Sequence, residues 1–233
     1  MKSANNRILQ CILPSLFFVA VVLNWAGPTA GSAHAATISY GPTGWSFSLS
    51  PGSTTVNLSQ FDPSLGTLTG VELELNATEQ ADVTAENDSV SSGSMSVNLS
   101  GNVQGKGPGA IAPIVTLIMG TSAGPVSVSG TDGVPGSGPD FHDFGSLSDT
   151  ESDSSSTASN LATYTGLGTV GFQITGSGGF SVSGVSDSTI HVTDFGASGD
   201  ATVIYTYIPV PEPSSIVLAA FGFLGIAAWR RRQ

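Results

Sequence analysis

The sequence contains very few basic residues and places most of them at its ends. Five of its six lysines and arginines lie in the first seven or the last four residues: Lys2, Arg7, Arg230, Arg231 and Arg232. The stretch 36–208 between these ends has sixteen acidic residues and one lysine, Lys106, which gives a net charge of about −15. Because nucleic acids and anionic membrane surfaces bind proteins through basic patches, this charge excludes a nucleic-acid partner for the middle of the chain.

Cysteine and histidine are also scarce. The one cysteine, Cys11, lies in an apolar segment near the N-terminus that we expect to be removed, so the mature protein has no disulfide and no thiol chemistry. His34 should leave with the same segment. His142 and His191 then remain, which does not support a zinc site built from several histidines. We expect no cofactor.

The N-terminus has the pattern of a secretory signal peptide. Lys2 and Arg7 precede a largely apolar stretch, 8–25, and the small-x-small sequence from Ala33 to Ala35 is typical of a cleavage site. A proline and an asparagine interrupt the apolar stretch, which disfavours the alternative of a permanent membrane helix. We therefore predict that residues 1–35 direct export through the Sec translocon and are cut off after Ala35.

The C-terminus has three parts: Pro211-Glu212-Pro213, an apolar stretch that ends at Trp229, and Arg230-Arg231-Arg232. The prolines cannot continue a helix backwards, so they separate the apolar stretch from the preceding domain. As a helix, residues 214–229 would be about 24 Å long, which is short against a hydrocarbon core of about 30 Å. The arginines should stay cytoplasmic and leave the acidic domain outside. We therefore predict that 209–233 is a weak, removable membrane anchor with a short transmembrane helix.

These three C-terminal parts, in this order, resemble the PEP-CTERM sorting signal. Proteins with that signal are substrates of exosortase, a membrane protease-transpeptidase of Gram-negative bacteria that make exopolysaccharide. The resemblance covers Val210–Gln233. It implies that Pro211, Glu212 and Pro213 are the motif that exosortase recognises, and that Arg230–Arg232 is the cytoplasmic stop signal. It also implies an inner-membrane-anchored precursor that is processed and then displayed at the cell surface or in the extracellular matrix. An ordinary tail anchor is the alternative.

Apolar and polar residues alternate in several segments between 36 and 208. The alternation is clearest in five ranges: 65–75, 95–103, 170–174, 190–192 and 203–207. Each is typical of a strand with one buried and one solvated face. No helical period stands out. Regularly spaced short strands, separated by glycine- and proline-containing turns, predict an all-β fold, namely an antiparallel, jelly-roll-like β-sandwich.

One stretch, 130–159, is rich in glycine, serine, aspartate and proline and has little apolar content. We predict a long loop here, with His142 as a solvated loop histidine. Asp149, Glu151 and Asp153 alternate as calcium ligands can, but the glycine and glutamate that an EF-hand requires are missing. A looser calcium site is the alternative to a solvated acidic loop. His191, on the other hand, is predicted to lie on an exposed strand face.

The middle domain also resembles a known family. The segment Leu58–Leu68, followed by the strand Val71–Leu75, resembles the opening of the choice-of-anchor E domain. Thr165–Val170 and the closing Tyr205-Thr206-Tyr207 fit the same family, so the resemblance spans about 40–208. The family shares a surface domain and varies the anchor. It implies no activity.

The usual motifs of enzyme chemistry are missing from the middle domain, which has neither a Gly-x-Ser-x-Gly elbow nor a phosphate loop. We therefore expect a non-enzymatic surface or extracellular-matrix protein, associated with exopolysaccharide or biofilm. The runner-up is a carbohydrate-binding module, which an exposed row of aromatic side chains would favour. A secreted glycoside hydrolase comes third. Two convergent buried carboxylates in a cleft, about 5–10 Å apart, would favour it.

Overall fold

The structure is a computed structural model that describes residues 34–109 and 112–210, together with six helical residues near the C-terminus: Phe221, Gly222, Leu224, Ile226, Trp229 and Arg230. The stretch 34–210 is almost entirely β. Its strands are β1 Ala36–Ser48, β2 Gly52–Ser59, β3 Gly66–Asn87, β4 Gly93–Lys106, β5 Ile114–Val128, β6 Phe141–Thr157, β7 Thr169–Ser183 and β8 Ser188–Pro209. One 3-10 turn, Leu161–Tyr164, precedes β7.

The strands form two four-stranded antiparallel sheets with the orders β1-β8-β3-β6 and β2-β7-β4-β5. The pairs β1/β8, β2/β7, β3/β6 and β4/β5 are those of one long hairpin rolled over itself. The pairs β8/β3 and β7/β4 join these four strand pairs into the two sheets. Eight strands in this order make a jelly roll, so the prediction of an all-β antiparallel sandwich is confirmed.

The core lies between the sheets and contains the apolar half of each alternating segment. Its members include residues of β3, β4, β7 and β8: Val71, Leu73, Leu75, Met95, Val97, Leu99, Val103, Val170, Phe172, Ile174, Val203 and Tyr205. Glu74, between two of them, is exposed. Since side chains two residues apart share a face, one register buries the whole set. Leu65 lies before β3 and is exposed, so the first alternation begins later than predicted.

The prediction of a long loop over 130–159 is wrong for most of its length. Phe141–Thr157 forms β6, which pairs with β3 from Glu86↔Phe141 to Val71↔Thr157. β6 is an edge strand, and most of its side chains beyond Leu147 are exposed. Serine and charged residues suit such an edge, because they discourage pairing with another chain. The composition of an exposed edge strand therefore resembled that of a loop.

The two ends of the sandwich lie side by side. β1 begins at Ala36, directly after the predicted cleavage site, and Ala36 pairs with Tyr207 near the end of β8. Ala35 is exposed and precedes the strand. Ala33 and the rest of the predicted signal peptide up to it lie outside the described residues, so the cleavage site stays a prediction.

Candidate functional site

The folded domain ends one residue before the predicted sorting motif. Pro209, the last residue of β8, pairs with Gly66, and the Val210 N–H donates to the Leu65 carbonyl oxygen at 3.1 Å. A side chain at Gly66 would collide with the carbonyl oxygen of Ile208, so glycine permits this close approach. The sandwich thus holds the chain as far as Val210. The motif itself, Pro211–Pro213, lies outside the described residues.

Beyond the motif, the described residues are helical and their apolar side chains face solvent. The exposed fractions of Phe221, Leu224, Ile226 and Trp229 are between 60% and 68%. In the described part of the chain, no helix has the length and apolar character needed to cross a membrane. The predicted transmembrane helix, most of which falls outside that part, stays a prediction. The same holds for the stop signal, of which Arg230 alone is described.

Residues 209–232 match the family model described as the PEP-CTERM protein-sorting motif. The match begins at the last residue of β8 and includes Pro211, Glu212 and Pro213. It is consistent with an exported, surface-directed protein of Gram-negative bacteria that exosortase processes. The match concerns the sorting segment, and the resemblance of the preceding domain to the choice-of-anchor E family stays a prediction.

No curated protein matches the chain. Among solved structures, that of infectious bursal disease virus Gt strain matches at 11% identity with a TM-score of 0.13, over 78% of this chain and 42% of that one. The structure of the Gx strain matches at 14% identity with a TM-score of 0.13, over 83% of this chain and 49% of that one. The structure of the VP2 subviral particle of the same virus matches at 9% identity with a TM-score of 0.13, over 85% of this chain and 49% of that one. This chain spans less than half the length of these viral chains. The TM-scores are too low to show a shared fold.

The predicted calcium ligands Asp149, Glu151 and Asp153 share one face of β6 but do not converge. Residues two apart in a strand are separated by about 7 Å, so three of them in a row do not surround one ion. Asp149 instead accepts a hydrogen bond from the Gly120 N–H at 2.7 Å, which joins β6 to β5. Within 34–109 and 112–210, no group of three or more His, Cys, Asp or Glu side chains is arranged to hold a metal.

The two histidines of the sandwich have different surroundings. His142 lies on β6 opposite Ala85, is partly buried and packs edge-to-face on Phe144, with 4.7 Å between ring centroids. The prediction of a solvated loop histidine is therefore wrong, because β6 continues through this position. His191 lies on β8 with its side chain exposed, as predicted.

The carboxyl group of Glu79 lies inside the sandwich, which the sequence motifs did not indicate. The Glu79 side chain is 0% exposed, and neither carboxyl oxygen has a hydrogen-bond partner. It points at Gly101 and Gly178, which pair with each other in the second sheet. A Cβ on Gly101 would lie 2.8 Å from Oε1 of Glu79, so this glycine pair forms the recess that accommodates the carboxyl group. The alternation of β3 could have indicated this burial, because position 79 continues the inward-facing series of Leu73 and Leu75.

Burial raises the pKa of Glu79 to about 7, and the charge of Asp149, its direct partner on β6, adds to the rise. Removing a carboxylate from water disfavours its charged form, and a nearby negative charge does the same. Glu79 therefore changes its protonation state near neutral pH.

Glu79 and Asp149 are a carboxylate pair, but they do not form the cleft of a glycosidase. Glu79 has no exposed surface through which a substrate would reach it. A groove of about 660 Å³ lies on the outer face of the first sheet, and its lining includes Ser46, Gln80 and Ser198.

The aromatic residues of the sandwich are mostly in its core. The fully buried ones include Phe61, Tyr164, Phe172 and Tyr205. Of the aromatic residues described between 34 and 210, Phe180 is the one that is exposed. The described surface of the sandwich therefore lacks the row of aromatic side chains that would favour a carbohydrate-binding module.

We expect Glu79 to make the stability of the protein depend on pH. Its folded pKa of about 7 exceeds its ordinary value of 4.5, so between these values the folded chain holds a proton that the unfolded chain has lost. Protonation of Glu79 therefore contributes at most about 3 kcal/mol to the free energy of unfolding. This contribution is fully present below pH 4.5 and is lost as the pH rises through 7. Glu79→Gln, which does not titrate, should flatten this fall.

Chemical denaturation between pH 5 and pH 8 measures the effect. Glu74→Gln removes an exposed glutamate from the same strand and should keep the wild-type pH dependence. An unchanged pH dependence in Glu79→Gln would show that another group is responsible.

Proposed function

We propose that this chain is an exported surface or extracellular-matrix protein that exosortase processes at its C-terminal segment, and that its sandwich has no enzymatic role. The observation that carries the proposal is the match of residues 209–232 to the PEP-CTERM protein-sorting motif, which begins at the last residue of β8. The segment is then a substrate for another enzyme, so the chain itself needs no catalytic group.

The order of events follows from the two ends. The Sec translocon exports the chain, and signal peptidase removes residues 1–35. Arg230–Arg232 hold the C-terminus on the cytoplasmic side, because positive charges near a membrane segment stay there. Exosortase then reads Pro211–Pro213 and releases the domain from its membrane helix. The exposed apolar side chains of Phe221, Leu224 and Ile226 support this role, since the sandwich does not cover them.

The surface of the sandwich supports a place among extracellular polysaccharides. Small hydroxyl and amide side chains line the open grooves on both outer faces, including Ser46 and Gln80 on the first sheet and Asn102 and Ser177 on the second. Such groups form hydrogen bonds with sugar hydroxyls and water alike. Without an aromatic platform, we expect weak and distributed contacts with the matrix.

Intact-mass measurement of the protein from a host with exosortase and from a matched host without it tests the proposal. With exosortase, the surface-recovered protein should lack both residues 1–35 and the Arg230–Arg232 tail. Without exosortase, the protein should lack residues 1–35, keep the tail and remain in the inner membrane. The same tail-containing mass from both hosts would contradict exosortase processing. Retention of Met1–Ala35 would contradict the signal-peptide prediction but not exosortase processing.

A further inference from the structure

The loop between β5 and β6, residues 129–140, ends in a buried aspartate. Asp140 is 0% exposed, and its Oδ2 accepts a hydrogen bond from the Asp132 N–H at 2.8 Å. Its other oxygen, Oδ1, is buried and has no hydrogen-bond partner. A buried polar atom left in this state costs about 1–3 kcal/mol, and more if it is charged. The unpartnered oxygen therefore points to a ligand.

A second carboxylate oxygen faces the same space. Asp132 accepts the Val134 N–H through Oδ1 at 2.8 Å, while its Oδ2 lies beside Gly138. A Cβ placed on Gly138 would contact Asp132 Oδ2 and would lie 2.9 Å from Asp140 Oδ1. The two oxygens thus border one small space, which the missing side chain of Gly138 leaves open. Two negative groups this close repel each other unless a cation lies between them.

The sandwich anchors the loop around this space. The Asn87 N–H donates to the Asp140 carbonyl oxygen at 2.9 Å, and Asn87 Nδ2 donates to the Ser129 carbonyl oxygen at 2.7 Å. Oε2 of Glu86 accepts the Gly136 N–H at 2.8 Å and brings a third carboxylate to the loop. These bonds fix the loop at its two ends and its middle, so the two oxygens are held in place before any ligand binds.

No lysine or arginine of the sandwich is near enough to neutralise these carboxylates. Lys106 is the one lysine or arginine between residues 34 and 210. It lies at the end of β4, whereas Gly93, at the start of that strand, pairs with Val128 just before the loop. β4 is 14 residues long, so its two ends are about 40 Å apart. A charge at that distance is screened by solvent.

We propose that the 129–140 loop binds a calcium ion through Asp132 and Asp140. Calcium takes six to eight oxygen ligands at about 2.3–2.6 Å in flexible geometry, and backbone carbonyls and water supply those that carboxylates do not. Magnesium demands near-ideal octahedral geometry, which an irregular loop does not provide as readily. The site is separate from Asp149, Glu151 and Asp153 on β6. Its role is to stabilise an exposed loop in the extracellular medium.

Calorimetric titration of the full-length chain with CaCl2 tests the site, after EDTA treatment and with detergent present to keep the apolar ends in solution. We expect one site, which raises Tm by mass action on the folded state. Asp132→Asn should weaken binding by about tenfold or more, because affinity depends on ligand charge. Asp140→Asn should abolish it. Asp153→Asn, which changes an exposed aspartate of β6, should bind calcium like the wild type.

Asp132 is exposed, so its variant tests the site even where Asp140→Asn lowers folding yield. The proposal is overturned if CaCl2 produces no saturable heat, or if Asp132→Asn binds as tightly as the wild type. It is also overturned if NaCl of equal ionic strength or MgCl2 raises Tm as much as CaCl2, since the effect is then general screening of an acidic surface. Loss of binding in Asp153→Asn alone would place the ion on β6 instead.

Discussion

Replacing Pro211, Glu212 and Pro213 together with alanine is expected to abolish C-terminal processing and leave the sandwich folded. Each proline holds its φ near −65° and lacks a backbone N–H, and each also pushes its preceding residue towards an extended conformation. The sequence of this segment therefore favours a stiff, open chain of the kind that a protease cleft accepts. Glu212 adds one negative charge on the outer side of the membrane, opposite the cytoplasmic arginines. Glu212→Ala alone should also block processing.

The sandwich should tolerate these changes because, among residues 34–210, its last backbone hydrogen bond lies before the motif, from the Val210 N–H to the Leu65 carbonyl oxygen. Cell fractionation with immunoblotting, in a host that carries exosortase, measures the effect. Unprocessed chain should accumulate in the inner membrane. Ser215→Ala, just beyond the motif, is the matched control and should be processed normally. If the alanine variants are cut and displayed like the wild type, Pro211–Pro213 is a linker and the assignment of the C-terminus fails.

Tyr205→Ala is expected to lower the free energy of unfolding by about 3–5 kcal/mol, as replacing a buried aromatic ring with alanine does in other cores. Tyr205 is 0% exposed, and its ring packs edge-to-face on Tyr40 and Phe61 with 5.9 Å between centroids in both cases. Its hydroxyl donates to the Ser59 carbonyl oxygen at 2.9 Å. This bond joins β8 in the first sheet to the end of β2 in the second. Burial raises the pKa of the phenol, so it stays protonated and remains a donor.

Tyr205→Phe separates the ring from the hydroxyl. It keeps the packing, loses one hydrogen bond and should cost about 1 kcal/mol. Ser198→Ala, which changes an exposed residue of the same strand, should stay within about 0.5 kcal/mol of the wild type. Equilibrium denaturation of all three variants gives the comparison. Equal losses for Tyr205→Ala and Tyr205→Phe would assign the effect to the hydrogen bond instead of the ring.

The strands that alternation predicted are those whose stability depends on the core. In β3, β4 and the first half of β7, most of the inward-facing side chains are apolar and buried, so the pattern of a few neighbouring residues specifies both the strand and its inward face. β6 gave no such pattern, because most of its side chains beyond Leu147 are exposed. It is held as a strand by its backbone pairing with β3, whose residues lie far away in the chain.

The candidate sites also differ in whether neighbouring residues in the sequence are enough to reveal them. The sorting segment is a linear signal, and the residues that define it are neighbours in the sequence, so reading the sequence was enough to locate it. Glu79 is different, because its burial depends on Gly101 and Gly178, which only the pairing of β4 with β7 places opposite it. The pair formed by Asp132 and Asp140 likewise depends on how the loop folds back.

The sequence by itself determined the class of fold, the inward faces of the central strands and the sorting segment at residues 209–232, because each is defined by the order of nearby residues. The tertiary structure alone decided the strand order, the strand β6 and the positions of the buried carboxylates. These depend on backbone hydrogen bonds and contacts between residues distant in sequence, which local alternation and composition do not encode.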